Sequence, residues 1–232
     1  MALAAGTVRK FCLFMPFAIT IALSIHTIVN TLQAAPALAA AKLIEDGAPV
    51  SSAALAALPE SFFVTNGCYT PAKRAAVTLT LTLADQQNIA ADYDAWAAAV
   101  SRAEAAVISA LSCSPADGNL WLRLAMTRLA AGENPTEQVA LLSMSQQMEP
   151  SSGRIITARL SHWKRLSNAT LLEGESIVGA DISLALRYLD PKTVQSPATP
   201  RTDEWKRIVL SRIALLPEDK QRALLPSVSN GL

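Results

Sequence analysis

The sequence predicts an all-α protein: an N-terminal apolar helix, then stacked helical hairpins, then further helices toward the C-terminus. Three observations carry this. An apolar run from Phe11 to Val29 is broken by polar side chains only at Thr20, Ser24, His26 and Thr27. Alanine and leucine dominate, while the 232 residues hold only 9 glycines and 5% aromatics, a balance that favours helix over sheet. Downstream, apolar residues recur at spacings of three and four between clusters of turn-forming residues.

The first element is the apolar run. Residues 11–32 are long enough to cross a bilayer as one helix, and the basic Arg9 and Lys10 just before them predict that residues 1–10 stay in the cytoplasm. The chain then has a single pass through the cytoplasmic membrane, with its bulk in the periplasm. A signal peptide is the competing reading, with Ala37-Leu38-Ala39 as the cleavage site and Pro36 as a helix break. In that case the protein is periplasmic or secreted. The apolar stretch exceeds the ~7–15 residues of a signal-peptide middle, which favours an anchor. Cys12 precedes the run, so a lipoprotein anchor is not expected.

Residues 33–69 read as a tether. Asp46-Gly47, Pro49, Ser51-Ser52 and Pro59 are loop signals, a short helix fits Ala53–Leu58, and Phe62-Phe63-Val64 is a patch expected to dock on the folded part. From Pro71 the pattern conflicts with itself. Val77, Leu79, Leu81 and Leu83 alternate with Thr78, Thr80 and Thr82, which by period is a strand. No partner strand is evident, so residues 71–84 are expected to be helical, pairing as a hairpin with the alanine-rich helix from Tyr93 to Leu111. A second hairpin runs from Leu120 to Ala131, stopped by Gly132, and from Pro135 to Met148. Helices are expected over Ile155–Ser167, Thr170–Leu189, Thr202–Leu216 and Glu218–Leu225, with Pro191–Pro200 as an extended connector. The grouping is residues 70–168 as hairpins and 169–232 as a helical extension.

Ala103, Val107, Ala110, Pro115, Trp121, Leu124 and Ala125 follow one another as in the tetratricopeptide repeat, and the chain resembles that family over residues 70–165 at most. The resemblance implies small residues at close helix contacts, a proline ending one helix and an aromatic filling the groove between hairpins. The next unit departs from the pattern: Gln138 stands where a small residue is expected, and Pro150 arrives one residue late. More loosely, the phrase from Ser114 to Ala125 is similar to one in small, singly anchored helical proteins encoded with bacterial exopolysaccharide synthesis machinery. That likeness implies an accessory role in polysaccharide assembly or export, with protein partners in an envelope complex. It carries no catalytic residues.

The exported cysteines are Cys68 and Cys113, in a space where disulfides persist. Antiparallel helices bring these positions to one end of a hairpin, within bridging range. Closing a loop of about 46 residues contributes roughly 4 kcal/mol on the chain-entropy model. With no Cys-x-x-Cys motif, redox catalysis is not expected.

The search for other chemistry is nearly empty. Two histidines, His26 and His162, do not make a zinc site, and no phosphate loop, dinucleotide fingerprint or nucleophile elbow occurs. We therefore expect no enzyme activity, no cofactor and no metal. A net charge of +1 gives no footprint for nucleic acid. Asp92 and Asp94, at a helix start, suit capping. The remaining candidate surface is basic: Arg154, Arg159, Lys164 and Arg165 with His162 and Trp163, reinforced by Arg123 and Arg128 if the hairpins stack. It is a candidate face for an anionic glycan or acidic partner, weighed against an ordinary solvated helix face. Asn168-Ala169-Thr170 matches a glycosylation acceptor, relevant only in a eukaryotic secretory route.

Overall fold

A computed structural model describes residues 2–65, 67–190 and 202–222, with side chains of the first helix described from Phe17 onward. The described residues are helical with no strand, as expected. They form two compact units, Met1–Gln86 and Gln87–Leu232. The division places the helix over residues 70–85 in the first unit, so the boundary lies 17 residues beyond the expected end of the tether at residue 69.

In the first unit, α1 runs unbroken from Ala2 to Glu45. Pro36 does not end it, and the alanine-rich segment expected as tether is helix. Proline removes one helical donor and crowds the preceding turn, a cost of roughly 3 kcal/mol in an isolated helix. Here packing offsets that cost. Ala34, Ala37 and Ala41 are buried, and α1 lies against α3 (Thr70–Asp85). Small side chains on both helices, including Ala75 and Ala76 of α3, permit this close approach. A short α2 (Ser52–Ala56), capped by the Ser51 hydroxyl, and a 3₁₀ turn at Glu60–Phe62 close the core with Leu55 and Phe63. Of the Phe62–Val64 patch, Phe63 is buried, Phe62 half-buried and Val64 exposed.

The threonine alternation that looked like a strand is helix because each described hydroxyl has an acceptor without a sheet. Thr80 donates to the Ala76 and Val77 carbonyls, Thr82 to the Thr78 carbonyl, and Thr78 to Glu45 on α1. Pro71 opens α3 at a position that needs no N–H.

In the second unit, α4 (Tyr93–Cys113) packs on α5 (Gly118–Ala131), and α5 on α6 (Pro135–Met148). Asp92 caps α4 through the Ala95 N–H, and Asp117 caps α5. Gly132, at φ +151°, ends α5. Then α7 (Gly153–Trp163), α8 (Asn168–Glu173), α9 (Glu175–Tyr188) and α10 (Asp203–Ile213) enclose the larger core around Trp163, Trp205, Leu142 and Ile208. Residues 218–222 are helical; the rest of the expected Glu218–Leu225 helix, and most of the Pro191–Pro200 connector, fall outside the described residues.

The single helix expected over Thr170–Leu189 is two, broken at Gly174. The break follows from the neighbour above it: a β-carbon at Gly174 would stand 2.4 Å from the Trp163 ring. Only a bare α-carbon lets the chain pass that buried indole. Gly174→Ala should therefore lower stability by about 1–3 kcal/mol through overpacking, read as a shift in the urea midpoint with unchanged slope.

Candidate functional site

The basic cluster expected at one surface is split by burial. Arg159 is completely buried, and His162 and Trp163 are buried with it, whereas Arg154 and Arg165 are exposed and Lys164 is half-buried. A face for an anionic glycan built on Arg159 and His162 is thus corrected to three peripheral cations. Arg128 is also engaged, pairing with Glu104 at 2.6 Å and Glu137 at 2.8 Å.

What the cluster makes instead is an internal ion pair. Arg159 on α7 donates from Nε to Asp181 Oδ2 at 2.8 Å and from Nη2 to Asp181 Oδ1 at 2.7 Å, both side chains fully buried. Its Nη1 reaches the Ser145 and Glu149 carbonyls at 3.3 and 3.1 Å, satisfying the C-terminal end of α6. Gln146 completes the carboxylate shell, donating to Asp181 Oδ1 at 2.9 Å and to the Ile177 carbonyl at 3.0 Å. Glu149 in turn accepts from the Asn119 N–H at the start of α5. The guanidinium is thus occupied on all sides, and its chemistry is to lock α6, α7 and α9 in one register.

A second buried pair lies beside it. Gln138 on α6 donates from Nε2 to the Ala125 carbonyl at 3.0 Å, so its Oε1 is left to accept from His162 Nε2 at 2.9 Å. Gln138, the misfit in the repeat pattern, is therefore a buried hydrogen-bonding residue. Burial, and next the Arg165 charge, push the His162 pKa down to about 4, against a partial upward pull from Glu133. Burial pushes the Glu133 carboxyl up, but hydrogen bonds from the Thr170 hydroxyl and the Ser167 backbone outweigh it and leave its pKa lowered. Thr170 of the glycosylation triplet is fully buried in this contact.

Of the repeat-like positions, Ala103, Val107, Ala110, Leu124 and Ala125 are buried, Pro115 is exposed, and Trp121 is half-buried with its Nε1 donating to the Pro115 carbonyl at 2.8 Å. Cys68 and Cys113 are disulfide-bonded, as expected. Among the described residues, no group of three or more His, Cys, Asp or Glu side chains is placed to hold a metal ion. The remaining surface of note is the first part of α1. Phe17, Leu23, Ile25, Ile28 and Leu32 stand 56–68% exposed, so a long apolar surface has no covering among the described residues.

Neither a family model, a curated protein nor a solved structure matches this chain.

Two outcomes follow from the buried groups. Asp181→Ala strands the Arg159 charge and should cost about 3–5 kcal/mol in urea unfolding, with Arg159→Met added to it recovering part of the loss. For His162 the folded pKa lies below the unfolded one, so the unfolded chain binds the proton first. Stability is complete above the ordinary value of 6.5 and declines as pH falls toward about 4. The loss over that window is about 3 kcal/mol at most. The parent's stability should slope across pH 6.5–4 more steeply than that of His162→Phe; equal slopes would assign the acid sensitivity elsewhere.

Proposed function

We propose that the chain is a membrane-anchored, extracytoplasmic helical adaptor that holds together an envelope assembly, with polysaccharide assembly or export as its setting. The observation that carries the reading is α1, apolar and exposed from Phe17 to Leu32, yet continuous with a second part that packs into the first unit's core. An exposed apolar helix of this length is costly in water and favourable in a bilayer. Its continuity makes the anchor part of the folded unit. The disulfide at Cys68 and Cys113 supports an oxidising compartment. That no metal cluster occurs among the described residues is neutral on whether the adaptor also has an activity.

The cleaved, secreted reading is the alternative, and one feature weighs against it. The Ala37–Ala39 segment lies inside α1, and Ala37 is 3% exposed in the core it shares with Leu55, Phe63 and Leu79. Cleavage there would remove core residues and cut a helix held by tertiary contacts.

Expression in a bacterial envelope tests both. The chain should sediment with membranes at full length after alkaline carbonate washing. Cys68 and Cys113 should resist an alkylating mass tag until reductant is added. Detergent extracts should contain it in complex with envelope proteins. A shortened, soluble monomer would sink the anchored adaptor.

A further inference from the structure

We infer that the cavity at the foot of the exposed segment of α1 binds the uncharged, hydroxyl-rich head group of a glycolipid, whose chains lie along α1. This deepens the anchored reading and rests on it. Along α1 the change of environment is abrupt: Leu32 is 68% exposed and Ala34 8%. The residues at that step, Asn30 and Gln33, form one wall of a cavity of about 380 Å³, within the ~300–1,000 Å³ span of small-molecule sites. Ser61, Phe62, Thr65 and Tyr69 supply the facing wall. The cavity therefore opens where a bilayer's interface would meet the folded unit.

The lining selects the chemistry. It offers two carboxamides and three hydroxyls, together with Phe62 and small apolar side chains, and no charged side chain. A phosphate or carboxylate would find no cation there: the neighbouring Lys73 is buried and donates to the Thr65 carbonyl at 2.6 Å. A sugar's hydroxyls both donate and accept, matching amides and hydroxyls, while its C–H faces suit an aromatic wall. Part of the lining is already held in place. Thr31 and Tyr69 share a hydroxyl contact at 3.2 Å, and Asn30 Nδ2 lies 3.0 Å from His26 Nε2. Gln33 and Ser61 have no side-chain hydrogen bond among the described residues, so their polar ends remain available to a ligand. The apolar surface from Phe17 to Leu32 rises directly from this point on the same helix, which favours a lipid as the carrier of the head group.

The test uses the full chain in nanodiscs containing equal amounts of monogalactosyl diacylglycerol, diacylglycerol, phosphatidylglycerol and phosphatidylethanolamine. Native mass spectrometry reads the lipids retained on release. The galactolipid should be retained about fivefold over the others, the scale of one net hydrogen bond. In Gln33→Leu/Ser61→Ala, with parental thermal unfolding, the preference should vanish. Equal retention of diacylglycerol overturns the head-group assignment, as does preference for phosphatidylglycerol or a preference that survives in the variant. Free methyl galactoside bound as tightly as the galactolipid overturns the lipid as carrier. A chain that does not enter nanodiscs overturns the anchored reading and this inference with it. A chain that enters without preference overturns this inference alone.

Discussion

A guanidinium removed from water must be met by fixed partners on every side, and the architecture of residues 87–222 is organised around meeting that demand for Arg159. Its planar fork matches one carboxylate, Asp181, and its remaining donor faces the end of α6. No other register of α7 against α9 would put opposite charges at the same depth. A purely apolar core could hold these helices as tightly, but could tolerate slippage by a turn. The ion pair adds specificity where leucine and isoleucine packing is permissive. The demand spreads outward, since Glu149, whose carbonyl Arg159 engages, also uses its carboxylate to hold the first turn of α5.

The first unit solves a different problem. Its core combines Leu55, Phe63 and Leu79 with alanines that let α1 and α3 approach closely. The hydroxyls of Thr80 and Thr82 fold back on their own helix. Membrane helices meet the same restrictions, close backbone contact and self-satisfied hydroxyls, and α1 continues this economy into its exposed part, where Ser24, Thr27 and Thr31 bond carbonyls four residues back.

Much of this was legible in sequence and some was not, for physical reasons. Helix positions were readable because caps and stops act locally: Asp92, Pro135 and Gly132 do what their side chains or ring dictate wherever they stand. The unbroken α1 was not, since a proline's local penalty was outweighed by packing against a helix some 35 residues away. Nor was the split at Gly174, which depends on where Trp163 places its ring. The basic cluster departs from the surface its charges suggest because position, not charge, decides burial. Arg159 lies three or four residues from Ile155, Ile156 and Trp163, squarely on the buried stripe, and Asp181 lies equally among Val178, Ile182 and Ala185. Two opposite charges, each on an apolar stripe, were the signal available. Gln138 carried the same kind of signal, a departure from a repeat at a core position. The cavity beside Asn30 was not readable at all, because its walls come from segments that no local pattern connects.

The continuity of α1 also has a mechanical meaning. At ~1.5 Å per residue, its 44 residues span about 66 Å without a joint. Helices in bilayers tilt by about 20° on average, and by more when the apolar segment exceeds the local thickness. A jointed tether would absorb such tilting, whereas a rod passes it on. With the apolar part of α1 in a bilayer, as proposed, any change in thickness that leans it would also reorient α3 and the loop from Pro59 to Tyr69 packed along the same rod. Under the anchored reading proposed above, the helix would be a lever as well as an attachment, carrying a lean of its apolar part into the direction in which the first unit faces.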